Sequence, residues 1–212
     1  MNTTYIPLEA GYFYHIYNRG IDGTNIFDTD DNYKHFLTLY DKYCACIFET
    51  YAYCLLRNHF HLLVQVKLNL PTYRELYSHL PRESMTDKAD KIVNPSTQLG
   101  HLFNAYAQGF NHAKPKKRTG GLFEEPFKRK LVDNDAYFTN LVQYIHYNPQ
   151  KHGFIDDFRT YHYSSYSAHL SQKPTKLKRE EILVWFGNEQ NYKTFHAMEH
   201  APDLIKDYIL ED

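Results

Sequence analysis

The sequence predicts an α+β fold. Residues 12–17 read Tyr-Phe-Tyr-His-Ile-Tyr, the composition of a strand. Two further apolar runs, over 44–56 and 60–66, are interrupted only around Arg57-Asn58, a gap that suits an antiparallel hairpin. After Asn94-Pro95, Leu99, Leu102, Phe103, Tyr106 and Phe110 recur at three- and four-residue spacing, the mark of a helix with one apolar face.

Taken in order, the first strand closes at the turn signal Asn18-Arg19-Gly20. Acidic residues over 28–31 supply N-cap candidates for a helix of about three turns carried by Tyr33, Phe36, Leu37 and Tyr40. The hairpin follows, then a short helix over 72–80 and a polar stretch over 81–90 expected as a mobile loop. Pro95 suits the first turn of the long helix, since its missing N–H has no intrahelical partner there. Thr119-Gly120-Gly121 reads as a loop, before a strand over 127–132 and a helix starting near Asn134. That helix is expected to end close to Asn148, because Pro149 disfavours helical geometry in the residue before it and Gly153 is a ready stop. Beyond Gly153 the texture turns to Tyr, Ser and His, then to a Lys-rich spacer, then to a short helical pattern over 182–186. The expected organisation is a domain over 1–153 with a C-terminal extension, 154–212, packed on it.

With 24 Lys and Arg against 25 Asp and Glu, the net charge of −1 excludes a generic DNA coat that binds through a uniformly positive surface. Local basic runs remain at residues 114–118, at Lys128-Arg129-Lys130 and, more loosely, from Lys173 to Arg179; each could equally be a solvated face. Twenty Tyr and 14 Phe provide rings for a core or for stacking on bases. Three closely spaced cysteines, Cys44, Cys46 and Cys54, do not suit a disulfide framework; they read as small buried thiols on a strand, in a reducing, cytoplasmic setting. The start of the chain lacks the pattern of an export signal and no apolar run is long enough to span a membrane, so neither export nor insertion is expected.

Two short motifs carry chemistry. In Asn58-His59-Phe60-His61-Leu62-Leu63-Val64 the histidines are one residue apart on a predicted strand, so both imidazoles leave the same face and can act as a pair of nitrogen ligands. In Leu141-Val142-Gln143-Tyr144-Ile145-His146-Tyr147-Asn148-Pro149 the phenol of Tyr144 and the amide of Asn148 are four apart and share a helix face. Spacing alone leaves the bland alternatives open: two half-exposed sheet histidines, a packed tyrosine and a helix-ending asparagine.

These motifs occur with Leu55-Leu56-Arg57 before the histidines, Gly120-Gly121-Leu122-Phe123 and Phe127-Lys128 between them, Tyr14-His15-Ile16-Tyr17-Asn18-Arg19-Gly20 near the start and Tyr163-Ser164-Ser165-Tyr166 near the end. In that order they resemble the REP-associated tyrosine transposases, of the single-tyrosine, His-hydrophobe-His (HUH) nuclease superfamily, over roughly residues 12–170. The resemblance implies a ferredoxin-like antiparallel sheet with helices on one side. It implies Tyr144 as nucleophile, and His59, His61 and Asn148 as ligands of a divalent metal, Mg or Mn. The implied activity is cleavage and strand transfer of single-stranded DNA beside a hairpin, through a 5′-phosphotyrosine link. Arg19, Arg57, Lys128, Arg129 and Lys130 are candidates for backbone phosphates, with surface ion pairs an equal alternative. Two rival functions stand beside this one: a metal-dependent phosphodiesterase using water, and a domesticated module that binds DNA or RNA hairpins without cutting. A monomer acting in cis and a homodimer sharing sites are both compatible with the sequence, with the C-terminal region tilting the expectation toward the monomer.

Overall fold

The computed structural model describes residues 6–78, 88–114 and 120–198. All but Lys114 of the basic run over 114–118, and most of the polar stretch over 81–90, lie outside them. The core is a four-stranded sheet of β1 (Phe13–Arg19), β2 (Phe48–Leu55), β3 (His59–Val66) and β4 (Lys128–Val132), ordered β2-β3-β1-β4 with every pair antiparallel. Helix α1 (Asp30–Cys44) links β1 to β2, and α3 (Pro95–His112) lies between β3 and β4, after the one-turn helix α2 (Tyr73–Leu76). This is the ferredoxin-like βαββαβ arrangement.

Period-two alternation splits each central strand between two cores. Tyr14 and Ile16 of β1 and Phe60, Leu62, Val64 and Val66 of β3 face α1 and α3, where they meet Phe36, Leu99, Leu102 and Tyr106. Leu63 of β3 and Tyr51, Ala52 and Cys54 of β2 face the other way, against α4 (Asp135–Lys151). The helices of the βαββαβ unit thus occupy one side, and α4 with the segment that follows it covers the other. That segment contributes Phe158, Tyr166, Ile182, Phe186 and Tyr192 to the second core, from α5 (Tyr166–His169), α6 (Arg179–Trp185) and α7 (Glu189–Ala197).

Local chemistry sets the ends of the elements. Thr29 and Asn32 form a reciprocal capping box for α1, which runs 15 residues, longer than the three turns expected. Cys44 is the last residue of that helix and Cys46 lies beyond it, so of the three free thiols only Cys54 is on a strand. Asn94 and Asn134 cap α3 and α4 through their side-chain oxygens. Helix α4 does not stop at Asn148: Pro149 lies inside it and the helix continues to Lys151. A proline one turn from the end removes a single backbone donor, and beyond it the bond from His152 N–H to the Asn148 carbonyl still forms at 3.0 Å. The stop is Gly153, at φ +68°, whose N–H reaches Gln150, while that of Phe154 reaches the Pro149 carbonyl at 2.8 Å. This double bond pattern is a Schellman cap.

The Lys-rich spacer is absorbed by ion pairs with the body of the fold. Lys176 meets Asp41 of α1, and Lys178 meets both Glu49 of β2 and Glu181. Among the described residues no helix is long and apolar enough to cross a membrane.

Candidate functional site

Antiparallel pairing places Tyr17 of β1 opposite His61, and Arg19 opposite His59. Alternation then sends His15, Tyr17, His59 and His61 to the sheet face that α4 covers. His15 and Tyr17 stack at 4.6 Å between ring centroids and His15 and His61 at 5.1 Å, so one wall of the site is a layered set of rings. From the helix side the Tyr144 ring approaches edge-on, 5.4 Å from His61. One turn later, Oδ1 of Asn148 lies 3.3 Å from Nε2 of His59. The four residues Tyr144, His59, His61 and Asn148 are therefore brought together within one chain.

The hydrogen bonds define which nitrogens are available. Nδ1 of His59 is 2.7 Å from the side-chain oxygen of Asn58, and Nδ1 of His61 is 2.9 Å from Nε2 of buried His15. A neutral His59 has one proton for two amide oxygens, those of Asn58 and Asn148; in the tautomers with Nδ1–H of His59 donating to Asn58 and Nδ1–H of His61 donating to His15, both Nε2 atoms keep a lone pair. That of His61 is buried without any hydrogen-bond partner. Burial, chiefly, drives the imidazoles toward the neutral form: His59 is lowered to about 4, His15 to about 3 and His61 well below its ordinary range. Neutral imidazoles with free lone pairs are the form that ligates a metal.

His59 and His61 open on a cleft of about 430 Å³ lined also by Tyr17, Asn58, Arg19, Glu124, Lys128, His152 and Phe154. Tyr144 is not among its lining residues and is only 1 % exposed, so the phenol lies under the cleft floor beside His61. Among the described residues no three His, Cys, Asp or Glu side chains form a metal-holding group; the donors here are two imidazoles and an amide.

The five candidate phosphate contacts fall in different places. Arg19 and Lys128 line the cleft, Arg19 in an ion pair with Glu124 at 3.4 Å. Arg57 is exposed in the β2–β3 turn. The pleat of β4 divides Lys128, Arg129 and Lys130 between the two faces of the sheet. Lys128 and Lys130 sit opposite Tyr17 and His15, whereas Arg129 pairs with Ile16 on the other face, bonded to Ser96 at 2.6 Å and lying over the Phe127 ring.

Sequence reasoning missed several members of the site. His15 had a signal, the alternation of Tyr14-His15-Ile16, but its face depends on which strand pairs with β1. Lys151, whose ammonium lies 5.1 Å over the Tyr144 ring, and His152, 5.0 Å from His59, were hidden by ending α4 too early. Glu124 and Phe154 carry no motif.

Fold and cleft together define a ferredoxin-like α+β protein whose histidine-bearing sheet face meets the second half of a covering helix. No family-wide sequence model matches the chain. A Haemophilus influenzae protein named "Putative REP-associated tyrosine transposase" is 30% identical over 137 residues, covering 64% of this chain and 69% of the relative. The chain belongs to the REP-associated tyrosine transposase family. A solved structure described as a REP-associated tyrosine transposase bound to a REP hairpin matches with a TM-score of 0.51 and 14% identity, over 82% of this chain and 87% of that one; it shares the fold.

Proposed function

We propose that this protein cuts and rejoins single-stranded DNA beside a hairpin, with Tyr144 as nucleophile and His59, His61 and Asn148 holding a divalent cation, Mg or Mn. The observation that carries the reading is the convergence, within one chain, of the unpartnered Nε2 of His61, the His59–Asn148 pair and the Tyr144 ring. The donor set suits such a cation: two neutral nitrogens and an amide oxygen leave positions open for phosphate oxygens, and Mn accepts imidazole more readily than Mg. Bound there, the cation would neutralise the phosphodiester charge and polarise phosphorus toward attack.

The protein's own residues supply the rest. Asn58 and His15 fix the tautomers of His59 and His61. Arg19 and Lys128 are cations on the cleft wall for the incoming strand. The Tyr144 oxygen forms a bond to phosphorus as the bond from phosphorus to the 3′ oxygen breaks; the proton that the phenol gives up is balanced by the one that the departing oxygen takes up to leave as a 3′-hydroxyl. The 5′-phosphotyrosine link conserves the phosphodiester energy, so the 3′-hydroxyl of a second strand can reverse the step without ATP. The hairpin in the solved relative supports a hairpin as the element that brings the strand to the cleft.

The burial of Tyr144 favours one rival, in which water attacks and the tyrosine only packs. The two separate by product. Parent protein incubated with Mn and an end-labelled single-stranded hairpin should yield a covalent protein–DNA adduct that survives denaturation. Tyr144→Phe should yield neither adduct nor cleavage, and chelator should abolish both in the parent. Cleavage by the Phe variant at the parent's rate hands the reaction to water.

A further inference from the structure

Of the cleft side chains with no part in the chemistry above, two are placed to meet a base. Glu124 is a carboxylate on the wall of a cleft read as receiving a polyanion, where like charge is unfavourable unless it makes a specific contact. Its backbone is fixed: Gly20 and Phe123 form an antiparallel bridge, and the N–H of Glu124 donates to the Arg19 carbonyl at 2.9 Å. Its side chain meets Arg19 through one oxygen, Oε1, and is 35% exposed. The second oxygen keeps its lone pairs for another donor. Phe154 is the other: a large ring, 38% exposed, on the same cleft. Its backbone is locked into the α4 cap by the bond to Pro149. A ring on rigid backbone and a held acceptor are what an unpaired base requires, one for its face and one for its edge.

We infer that Phe154 and Glu124 form a nucleobase subsite beside the histidine pair, Phe154 stacking on the base and Glu124 accepting hydrogen bonds from its Watson–Crick edge. Edge chemistry selects guanine, whose N1–H and N2–H₂ are adjacent donors that a carboxylate accepts together. Thymine offers one N–H between two carbonyls, which a carboxylate repels; adenine and cytosine each offer an amino group beside a ring acceptor. A cleft of about 430 Å³ is of the size that holds one small ligand such as a nucleotide. A base so read sets the strand in register, so that the cut falls at a fixed place relative to His59 and His61. The inference rests on the proposed reading of this cleft as a single-strand site.

Binding without chemistry tests it. Fluorescent pentanucleotides dT-dT-X-dT-dT, with X guanine, hypoxanthine, cytosine, adenine or thymine, are titrated with the full chain in chelator and low salt, and anisotropy gives Kd. The expected result is guanine ahead of thymine by about tenfold or more, the order of discrimination of a good bidentate pair, with hypoxanthine between them for want of the amino group. Glu124→Gln should erase the ranking while binding persists. Phe154→Ala should weaken guanine, cytosine and adenine alike, and Phe154→Tyr should restore them. Equal binding of all five strands by the parent, or a guanine preference that survives Glu124→Gln, overturns the subsite and leaves the Tyr144 reaction standing. Failure of every strand to bind overturns the single-strand reading and the subsite with it.

Discussion

Nε2 of His15 lies 2.9 Å from Nδ1 of His61, His15 wholly buried and His61 reaching the cleft with only its edge. Its effect on chemistry is indirect, since His15 lines no part of the cleft and acts by fixing the proton of His61 on Nδ1. His15→Phe keeps a ring against Tyr17 and removes the acceptor. The tautomer of His61 is then no longer held, and the buried Nδ1–H loses its partner. On the proposed metal site, Mn affinity should fall about 10- to 100-fold, the usual cost of losing such a supporting contact. Calorimetric titration of parent and variant with Mn measures this, with circular dichroism showing that the fold is kept. Unchanged affinity would mean that His15 only packs.

At the scale of elements, two glycines hold chain reversals around the site for opposite reasons. Gly153 sits at φ +68° with open space where a Cβ would go, so Gly153→Ala meets backbone strain alone, about 1–2 kcal/mol. Gly20, after β1, has an ordinary φ of −70°, but a Cβ there would lie 2.0 Å from the carbonyl oxygen of Thr24. Gly20→Ala must displace backbone, so in urea denaturation it should lose at least twice as much stability as Gly153→Ala; the reverse ranking would refute this account. The same elements show what a sequence can disclose. The histidine face of β3 was legible because strand alternation is local and strict, and α3 because its apolar face repeats through 18 residues. The end of α4 was misread because the proline rule counts one lost bond, whereas the Schellman cap, with bonds to Pro149 and Gln150, wins two carbonyl partners past it. Helices α5 and α7 were not read at all: they span 4 and 9 residues, and their apolar residues answer to α4 rather than to a periodicity of their own. The face of His15 and the separation of Arg129 from Lys128 and Lys130 depend on strand pairing, which no single segment encodes.

Across the whole molecule, the segment after Gly153 is joined to α4 by a buried polar knot as well as by apolar packing. His146 of α4 is 2.9 Å from His196 of α7 and 2.7 Å from the hydroxyl of Ser165, and Tyr192 bridges toward His146 and His169. His169 feels the charges of Arg179 and His196, and His196 sits among the rings of His146, Phe158, Tyr166, Phe186, Tyr192 and Phe195, on a cleft that Asp156 and Asp157 also line. Burial accordingly lowers His169 to about 3 and His196 to about 4, from an ordinary 6.5. Above pH 6.5 both are neutral whether the chain is folded or not, and stability is full. As pH falls below 6.5 the unfolded chain takes up protons that the folded chain refuses, and each such histidine removes roughly 1.4 kcal/mol per pH unit. For His196 the loss levels off near pH 4, where the folded state also binds its proton. Urea unfolding at pH 7, 6, 5 and 4.5 should therefore show a steep decline for the parent. His196→Gln, which keeps a hydrogen-bonding group but cannot titrate, should decline less steeply, by roughly 1 kcal/mol per pH unit between pH 6 and 4.5. His146 and His169 remain in the variant but no longer feel the charge of His196, so the difference in slope reports His196 together with its coupling to them, even if the variant is less stable throughout. Parallel curves would show that the folded chain does not hold His196 below its ordinary titration range.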